Sequence, residues 1–410
     1  MTNYTKATDF AVKDSLLSGN PLKLVKGTEI NTEFLAVQTA VNSKLDSAGV
    51  TAFAATVLDD STATAARTTL GAAALGANSD ITSLNVITSI NGGPVAGFKN
   101  WLINGRYDIW QRGTSFAVTT TTAVYAADRW FANLGGAGAL TVSRQNSSGL
   151  NQYGIRLQRD AGNSSVQGVY ARQIVEGIVS RNLQTKTVTI SATLTAGANF
   201  SAAASQVSLL LQTGTTQDQG SASLISGTWT AFASPINTAV TVTTTPTRFS
   251  ATVTLSSNVQ EISAGVYFVP VGTAGANDWV QIDDFQLEIG SVATTFESTR
   301  PYGLELAQCQ RYYYPYNGGT SGFANGPTIV ETAVTFQMRA TPTLAAGAGL
   351  ATINWTGGTS VNPSSINVSN LTAVASGATW RFNNYTGLTS GQGVVIQANV
   401  TTLAAFSAEL

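Results

Sequence analysis

Histidine is absent from the 410 residues, and cysteine occurs once, at Cys309. Without imidazole there is no Ser-His-Asp triad, no histidine general base and no histidine-rich metal site. With one thiol there is no intrachain disulfide and no thiolate zinc centre. Charge is scarce too: 10% of residues are charged, against about 25% in ordinary globular proteins. A net charge of −1 gives no cationic surface for nucleic acid, whose affinity rests on Lys and Arg. No stretch approaches the ~20 apolar residues that span a bilayer. Met1 to Gly19 is polar and mixed in charge, unlike a secretory signal or transit peptide, so a soluble protein assembled in the cytoplasm is expected. What remains is 43% hydrophobic with 39 glycines, too apolar to be simply disordered. This profile predicts a β-rich structural or binding protein and not an enzyme.

The few charges are unevenly placed. Residues 1–50 carry Lys6, Lys13, Lys23, Lys26 and Lys44 with Asp9, Asp14, Glu29, Glu33 and Asp46, whereas 318–410 holds only Glu331, Arg339, Arg381 and Glu409. The low average is therefore a gradient, from a charged end suited to docking on a protein to a nearly neutral one. After Gly19-Asn20-Pro21, Asn31 or Thr32 can cap a helix with Glu33 in its first turn. Phe34, Val37, Val41 and Leu45 then recur at spacings of three and four as one apolar seam. A helix this short is marginal in water and must bury its seam against its own copies or a partner. Residues 51–97 are rich in Ala, Thr, Ser and Gly. Within them Asp59-Asp60 precede a second short helix, with Ala63, Ala66 and Leu70 on one face and Gly71 as its stop. The segment reads as a slender shaft or as a flexible linker.

From Phe98 the period changes to two. Val188, Ile190, Ala192 and Leu194 alternate with hydroxyl residues, as do Val207, Leu209 and Leu211, and Ala251, Val253 and Leu255; this predicts sheets with one buried face. Several such strands separated by Gly and Asn turns predict a jelly-roll/β-sandwich. Val280 and Ile282 share one parity while Phe285, Leu287 and Ile289 share the other, so the register slips at Asp283-Asp284. A β-bulge there re-aims a carboxylate. Either the pair lies at a wet sheet edge, or Asp283 helps to bind a structural Ca²⁺. Residues 318–410 repeat the β pattern on a smaller scale, with Val394, Ile396, Ala398 and Val400 alternating. The expected division is 1–50 (attachment segment), 51–97 (shaft), 98–300 (large β-sandwich) and 301–410 (smaller C-terminal β-sandwich).

Three groups of residues carry a family resemblance. Tyr4-Thr-Lys-Ala-Thr-Asp-Phe, Val25-Lys-Gly-Thr-Glu-Ile-Asn-Thr-Glu-Phe34 and Leu58-Asp-Asp with Ala-Ala-Arg-Thr-Thr-Leu-Gly71 form the first. Asn100-Trp-Leu-Ile-Asn-Gly-Arg-Tyr-Asp-Ile-Trp-Gln-Arg-Gly113, Ala127-Asp-Arg-Trp-Phe131 and Gln286-Leu-Glu-Ile-Gly-Ser-Val-Ala-Thr-Thr-Phe296 form the second. Arg300-Pro-Tyr-Gly-Leu-Glu-Leu-Ala-Gln-Cys-Gln-Arg-Tyr-Tyr-Tyr314 and Phe406-Ser-Ala-Glu-Leu410 form the third. Together they span most of the chain and resemble tail fibers of tailed bacteriophages. The resemblance implies a trimeric virion protein of the tail, assembled in the host cytoplasm. It would be attached at its N-terminus to a tail or connector protein, with its β domains presented to host polysaccharide or lipopolysaccharide. The large domain is also similar to carbohydrate-binding modules. Their jelly rolls open with an Asn-Gly turn, here Asn104-Gly105, and close on an Ile-Asp-Asp strand, here Ile282-Asp283-Asp284. In some of them the first Asp ligates structural calcium, which carries a metal role to Asp283; no other cofactor is required.

Neutral sugars are held by aromatic faces together with amide and hydroxyl hydrogen bonds. Trp229 in a polar stretch, Trp355 beside Gly357-Gly358, and Asn383, Asn384 and Tyr385 after a strand are the expected contacts. Trp101, Trp110, Trp130 and Trp279 are expected in the core, and Tyr312, Tyr313 and Tyr314 in interdomain packing. Asp278, Asp283, Asp284 and Glu288 are candidates for glycoside cleavage, which needs two carboxylates across a bond, although the bulge explains their crowding without chemistry. A polysaccharide-depolymerising tailspike is the alternative they leave open, and a purely structural decoration fiber is another.

Overall fold

The structure is a computed structural model and describes residues 3–43, 50–70, 98–149, 152–297, 300–316, 318–346, 351–355, 368–382, 388–398 and 404–410. The chain forms two compact units, Met1–Ile87 and Thr88–Leu410.

The first unit carries helices α1 (Phe10–Asp14), α2 (Gly27–Asn42), α3 (Ala52–Leu58) and α4 (Ala63–Thr69). Helix α2 begins before the expected caps at Asn31 or Thr32, because Glu29 accepts the Lys26 backbone N–H at 2.9 Å and ends the helix there. Lys13 pairs with Glu29 at 2.8 Å, and this contact holds the Glu29 carboxyl below its usual range. Glu33 is not a first-turn cap: it accepts the backbone N–H groups of Ala7 and Thr8 at 2.9 and 2.8 Å. Both acids therefore tie the preceding segment to the helix. Thr51 and Thr62 cap α3 and α4 through their hydroxyls. Helix α4 starts where the sequence predicts. Helix α3 was not anticipated; Ala52, Ala54 and Ala55 favour it. Along α2, Phe34, Val37 and Val41 are 68%, 39% and 61% exposed, so nothing among the described residues covers the seam. Leu45 and Gly71 lie outside the described residues.

The second unit is mainly β, as the alternation predicts. Its first twelve strands are β1 (Ser115–Val118), β2 (Val124–Tyr125), β3 (Phe131–Leu134), β4 (Leu140–Asn146), β5 (Tyr153–Arg159), β6 (Val169–Val175), β7 (Thr187–Ala196), β8 (Gln206–Gly214), β9 (Ala233–Thr241), β10 (Thr247–Thr254), β11 (Glu261–Phe268) and β12 (Trp279–Ile289). They form two six-stranded sheets, in the orders β1-β4-β5-β12-β7-β10 and β2-β3-β6-β11-β8-β9. Val188, Ile190, Ala192 and Leu194 of the first sheet meet Val207, Leu209, Leu211, Ala264 and Val266 of the second in one core. Trp130 is fully buried there, while Trp101 and Trp110 pack at its rim.

Strand β12 carries the predicted bulge. Its pairing with β7 shifts between Asp283 and Gln286, and Asp284 adopts a left-handed φ of 52°. The extra residue lets Val280 and Ile282 before it and Phe285 and Leu287 after it all face the core. The expectation of a wet edge is overturned. Strand β12 lies between β5 and β7, and Asp283 and Asp284 are buried. Residues 100–105 close over the bulge. Asn100 Nδ2 donates to the Phe285 carbonyl at 2.9 Å, and its Oδ1 accepts from Leu287 N at 3.0 Å. Phe285 N donates to the Gly105 carbonyl at 3.0 Å.

Helix α5 (Gly177–Ser180) and helix α6 (Ser221–Ile225) decorate the second sheet, and α7 (Tyr302–Gln310) leads out of the sandwich. Beyond α7, Tyr313–Tyr316, Ala404–Ser407 and Thr343–Ala346 make a three-stranded sheet, and a further six strands make another antiparallel sheet. Residues 404–410 return to the large sandwich. Glu409 pairs with Arg129 and, at 2.8 Å, with Arg112, which also holds Asp128 at 3.1 Å. The three consecutive tyrosines pack here as expected. Arg129 lies 3.5 Å from the Tyr312 ring centroid, Arg112 lies 3.7 Å from that of Tyr313, and Tyr314 meets Phe336. Cys309 is buried in α7.

Gly105 approaches the bulge so closely that an added Cβ would collide with the Phe285 carbonyl and lie 2.6 Å from Asn100 Nδ2. Gly105→Ala is expected to cost about 1–3 kcal/mol, read as a lower midpoint in urea unfolding.

Candidate functional site

Of the residues expected to touch ligand, Trp229 is placed away from the surface. Trp229 is 3% exposed, packed with Phe131, Ile174, Leu224, Tyr312 and Leu410, and its Nε1 donates to the Gly220 carbonyl at 3.3 Å. It is a core residue: its polar neighbours form the turn after α6, where Thr228 N donates to the Ser223 carbonyl, and this turn folds the indole underneath. Trp355 ends the strand Ala351–Trp355, paired opposite Val394. Asn383, Asn384 and Tyr385 lie outside the described residues.

Three of the crowded carboxylates near β12, Asp278, Glu288 and Asp283, hold protein groups. Asp278 pairs with Arg159 at 2.8 Å and accepts from Ser201 Oγ at 2.6 Å. Glu288 accepts from the Thr294 N–H and hydroxyl at 2.8 and 2.6 Å. Asp283 accepts from Ser148 Oγ at 2.7 Å and from Gln281 Nε2 at 3.3 Å. These are hydrogen-bond donors where a calcium ion needs about six to eight oxygen ligands. Among the described residues no three His, Cys, Asp or Glu side chains gather for a metal. The Asp283 carboxylate is thus satisfied by protein groups without a metal.

A different face carries binding chemistry. The outward parity of the second sheet places Asn133, Tyr170, Tyr267 and Ser208 in one row across β3, β6, β11 and β8. Helix α6, Trp229, Tyr312 and Leu410 cover the part of this face over Phe131 and Ile174. Tyr170 and Tyr267 lie beyond that cover, half-exposed, with rings stacked at 4.5 Å and 27°. Burial and the neighbouring ring raise the Tyr170 hydroxyl above its usual pKa.

Behind the pair lies Arg172, 3% exposed. Its guanidinium donates to Asn133 Oδ1 at 2.7 Å and Gln212 Oε1 at 3.1 Å, and sits 4.5 Å from the Tyr170 ring centroid. Among the described residues it forms no ion pair. Burial lowers its pKa to about 10, so it remains a cation at neutral pH. Gly265, opposite Arg172, has no room for a side chain: an added Cβ would collide with the Ala171 carbonyl. A stacked aromatic pair, flanking amide and hydroxyl groups and a cation beneath form a surface for flat C–H faces and hydrogen-bonding rims. Sequence reading missed it because Tyr170 and Tyr267 belong to separate strands. The available signal was the Tyr170/Arg172 parity, set against Val169 and Ala171 in the core.

At the far end of the same face, Glu261 is buried. One oxygen accepts from Gln219 N at 3.2 Å and the other has no hydrogen-bond partner. Burial, with the Asp218 charge adding to it, raises its carboxyl to about 8.

No family model matches the chain, and no curated protein matches it in sequence. Similar solved structures include a carbohydrate-binding module described under "CBM4 structure and function", 14% identical over 45% of this chain and 97% of that one, with a TM-score of 0.29. TmCBM61 in complex with β-1,4-galactotriose is 14% identical over 47% and 99%, with a TM-score of 0.28. The enzymatically active domain of bacteriophage CBA120 tailspike protein 4 is 8% identical over 46% of this chain and 21% of its own length, with a TM-score of 0.28.

Two outcomes follow. A raised folded-state pKa favours the protonated form, so the contribution of Glu261 to stability is full below its unfolded value, 4.5, and is lost as pH rises through about 8. Melting temperature should fall across that window in the wild type and much less in Glu261→Gln. Millimolar Ca²⁺ should leave the melting temperature unchanged; a rise abolished by Asp283→Asn would reinstate the metal.

Proposed function

We propose that the chain is a trimeric tail-fiber protein of a tailed bacteriophage that recognises glycan on the host surface. Its Tyr170–Tyr267 platform binds sugar without cleaving it. The observation that carries this reading is the stacked, half-exposed tyrosine pair, standing clear of the part of the sheet face that α6, Trp229, Tyr312 and Leu410 cover. A sugar ring laid on the pair gains aromatic contact. Arg172 sits beneath with only neutral hydrogen-bond partners, and a buried cation of this kind favours an acidic saccharide above it. Binding without cleavage is supported by the positions of the crowded carboxylates, three of which hold hydroxyl, amide or guanidinium groups.

The fiber reading is supported by the resemblance of the N-terminal, domain-opening and closing segments to tail fibers. The exposed Phe34, Val37 and Val41 supply the surface on which three copies of α2 would meet. Residues 1–50 would then dock on a tail or connector protein of the virion, and three weak sugar sites would act together, gaining about 10²–10⁴ over one.

Excess purified protein should block adsorption of the phage to its host. Tyr267→Ala should weaken that block about tenfold, equivalent to ~1.4 kcal/mol. Sedimentation equilibrium should give a trimer, and Phe34→Asp with Val41→Asp should give a monomer. Release of reducing ends from host polysaccharide would replace this reading with a depolymerase.

A further inference from the structure

The opposite face of the sandwich holds a groove with a different chemistry. Its volume is about 640 Å³, within the range of ligand pockets, about 300–1,000 Å³. Thr193 of β7 and Arg248 and Ser250 of β10 make its floor. Ser148 and Gly149 line one wall, and Ala293 to Phe296 line the other.

The bulge builds this groove. It places the buried Asp284 in the lining, and Gly149 passes so close that an added Cβ would collide with the Asp284 carboxylate. Arg248 is fixed by two neutral acceptors, the Asp284 carbonyl at 3.1 Å and Ser191 Oγ at 2.7 Å. Its Nε has no hydrogen-bond partner, and among the described residues it forms no ion pair. The facing wall is braced from behind, since Thr294 is held by Glu288 at 2.6 Å and by Lys99 at 3.3 Å.

One cation and one carboxylate line the groove, so it carries no net charge and does not select an ion. Ser148, Thr193, Ser250, Thr294 and Thr295 add hydroxyls that both donate and accept. Phe296 adds apolar surface. A guanidinium that donates, a carboxylate that accepts and a hydroxyl rim together complement vicinal hydroxyls on an uncharged ring.

We infer that this groove is a second saccharide site, selective for neutral, multiply hydroxylated sugars and separate from the tyrosine platform. The two sites lie on opposite sheets, so the chain can read two parts of a mixed surface glycan.

The test uses the full chain on an array of neutral oligosaccharides (β-1,4-galactan, xylan, dextran and maltodextrin fragments), followed by hydrogen–deuterium exchange with the best binder. Ser250 is exposed on the edge strand β10, so Ser250→Trp fills the groove without disturbing the core. The expected results are at least a tenfold loss of neutral-sugar binding in Ser250→Trp at unchanged melting temperature, and ligand protection at 246–250 and 293–296. Unchanged binding in Ser250→Trp, or protection confined to 168–172 and 265–269, would overturn the groove and leave the platform standing. No neutral-sugar binding by the wild type would also overturn the groove.

Discussion

One extra residue in β12 organises the large domain. Strand side chains alternate strictly, so without the insertion at Asp283–Gln286 either Val280 and Ile282 or Phe285 and Leu287 would face away from the core. The insertion leaves backbone groups of the strand open to partners other than its neighbours. The segment from Asn100 to Gly105 takes them, through Asn100 and the Gly105 carbonyl. Gly149 and Gly154 then let the β4–β5 region press against Asp284 and Asp283, where any side chain would collide. The domain-opening motif, the β4–β5 glycines and the Arg248 groove are thus all shaped by the same irregularity.

Few charges are present, and many of those in the sandwich are buried in pairs. Arg159–Asp278 and Arg129–Glu409 join segments distant in sequence, and Arg300–Glu305 fixes the entry to α7. Such pairs add little net stability against apolar replacements, but leaving one partner alone is costly, so they penalise wrong arrangements. Arg172 and Arg248 differ, since their hydrogen bonds end on amides, a hydroxyl and a carbonyl. That difference marks both surfaces argued to bind sugar.

The sandwich was legible because its strands alternate cleanly, and the bulge because a parity break is a local signal. Position in a sheet is not local. The Asp283-Asp284 pair reads equally well as an edge or as a ligand set until β5 and β7 flank it. Trp229 misled for a related reason, since Ser226, Thr228 and Thr230 look like an exposed loop but form the turn that tucks the indole under α6. The start of α2 is set by Glu29 reaching back to the Lys26 N–H, and Lys26 is not among the residue types that signal a cap. Tyr170 and Tyr267 each look ordinary in their own strand and become a platform only when β6 and β11 pair.

The chain leaves the large sandwich through Tyr313–Tyr316 and re-enters through Ala404–Ser407, which pair antiparallel. A pull on the residues between them draws both strands the same way, so the ladder joining them carries little of the load. The load passes to the roots of the two strands. There Ala408 N holds the Tyr312 carbonyl at 2.8 Å, Glu409 sits between Arg112 and Arg129, and Tyr125 holds the Leu410 carbonyl at 2.5 Å. Mechanical strength at this junction is therefore set by a buried ionic clasp and not by the sheet ladder.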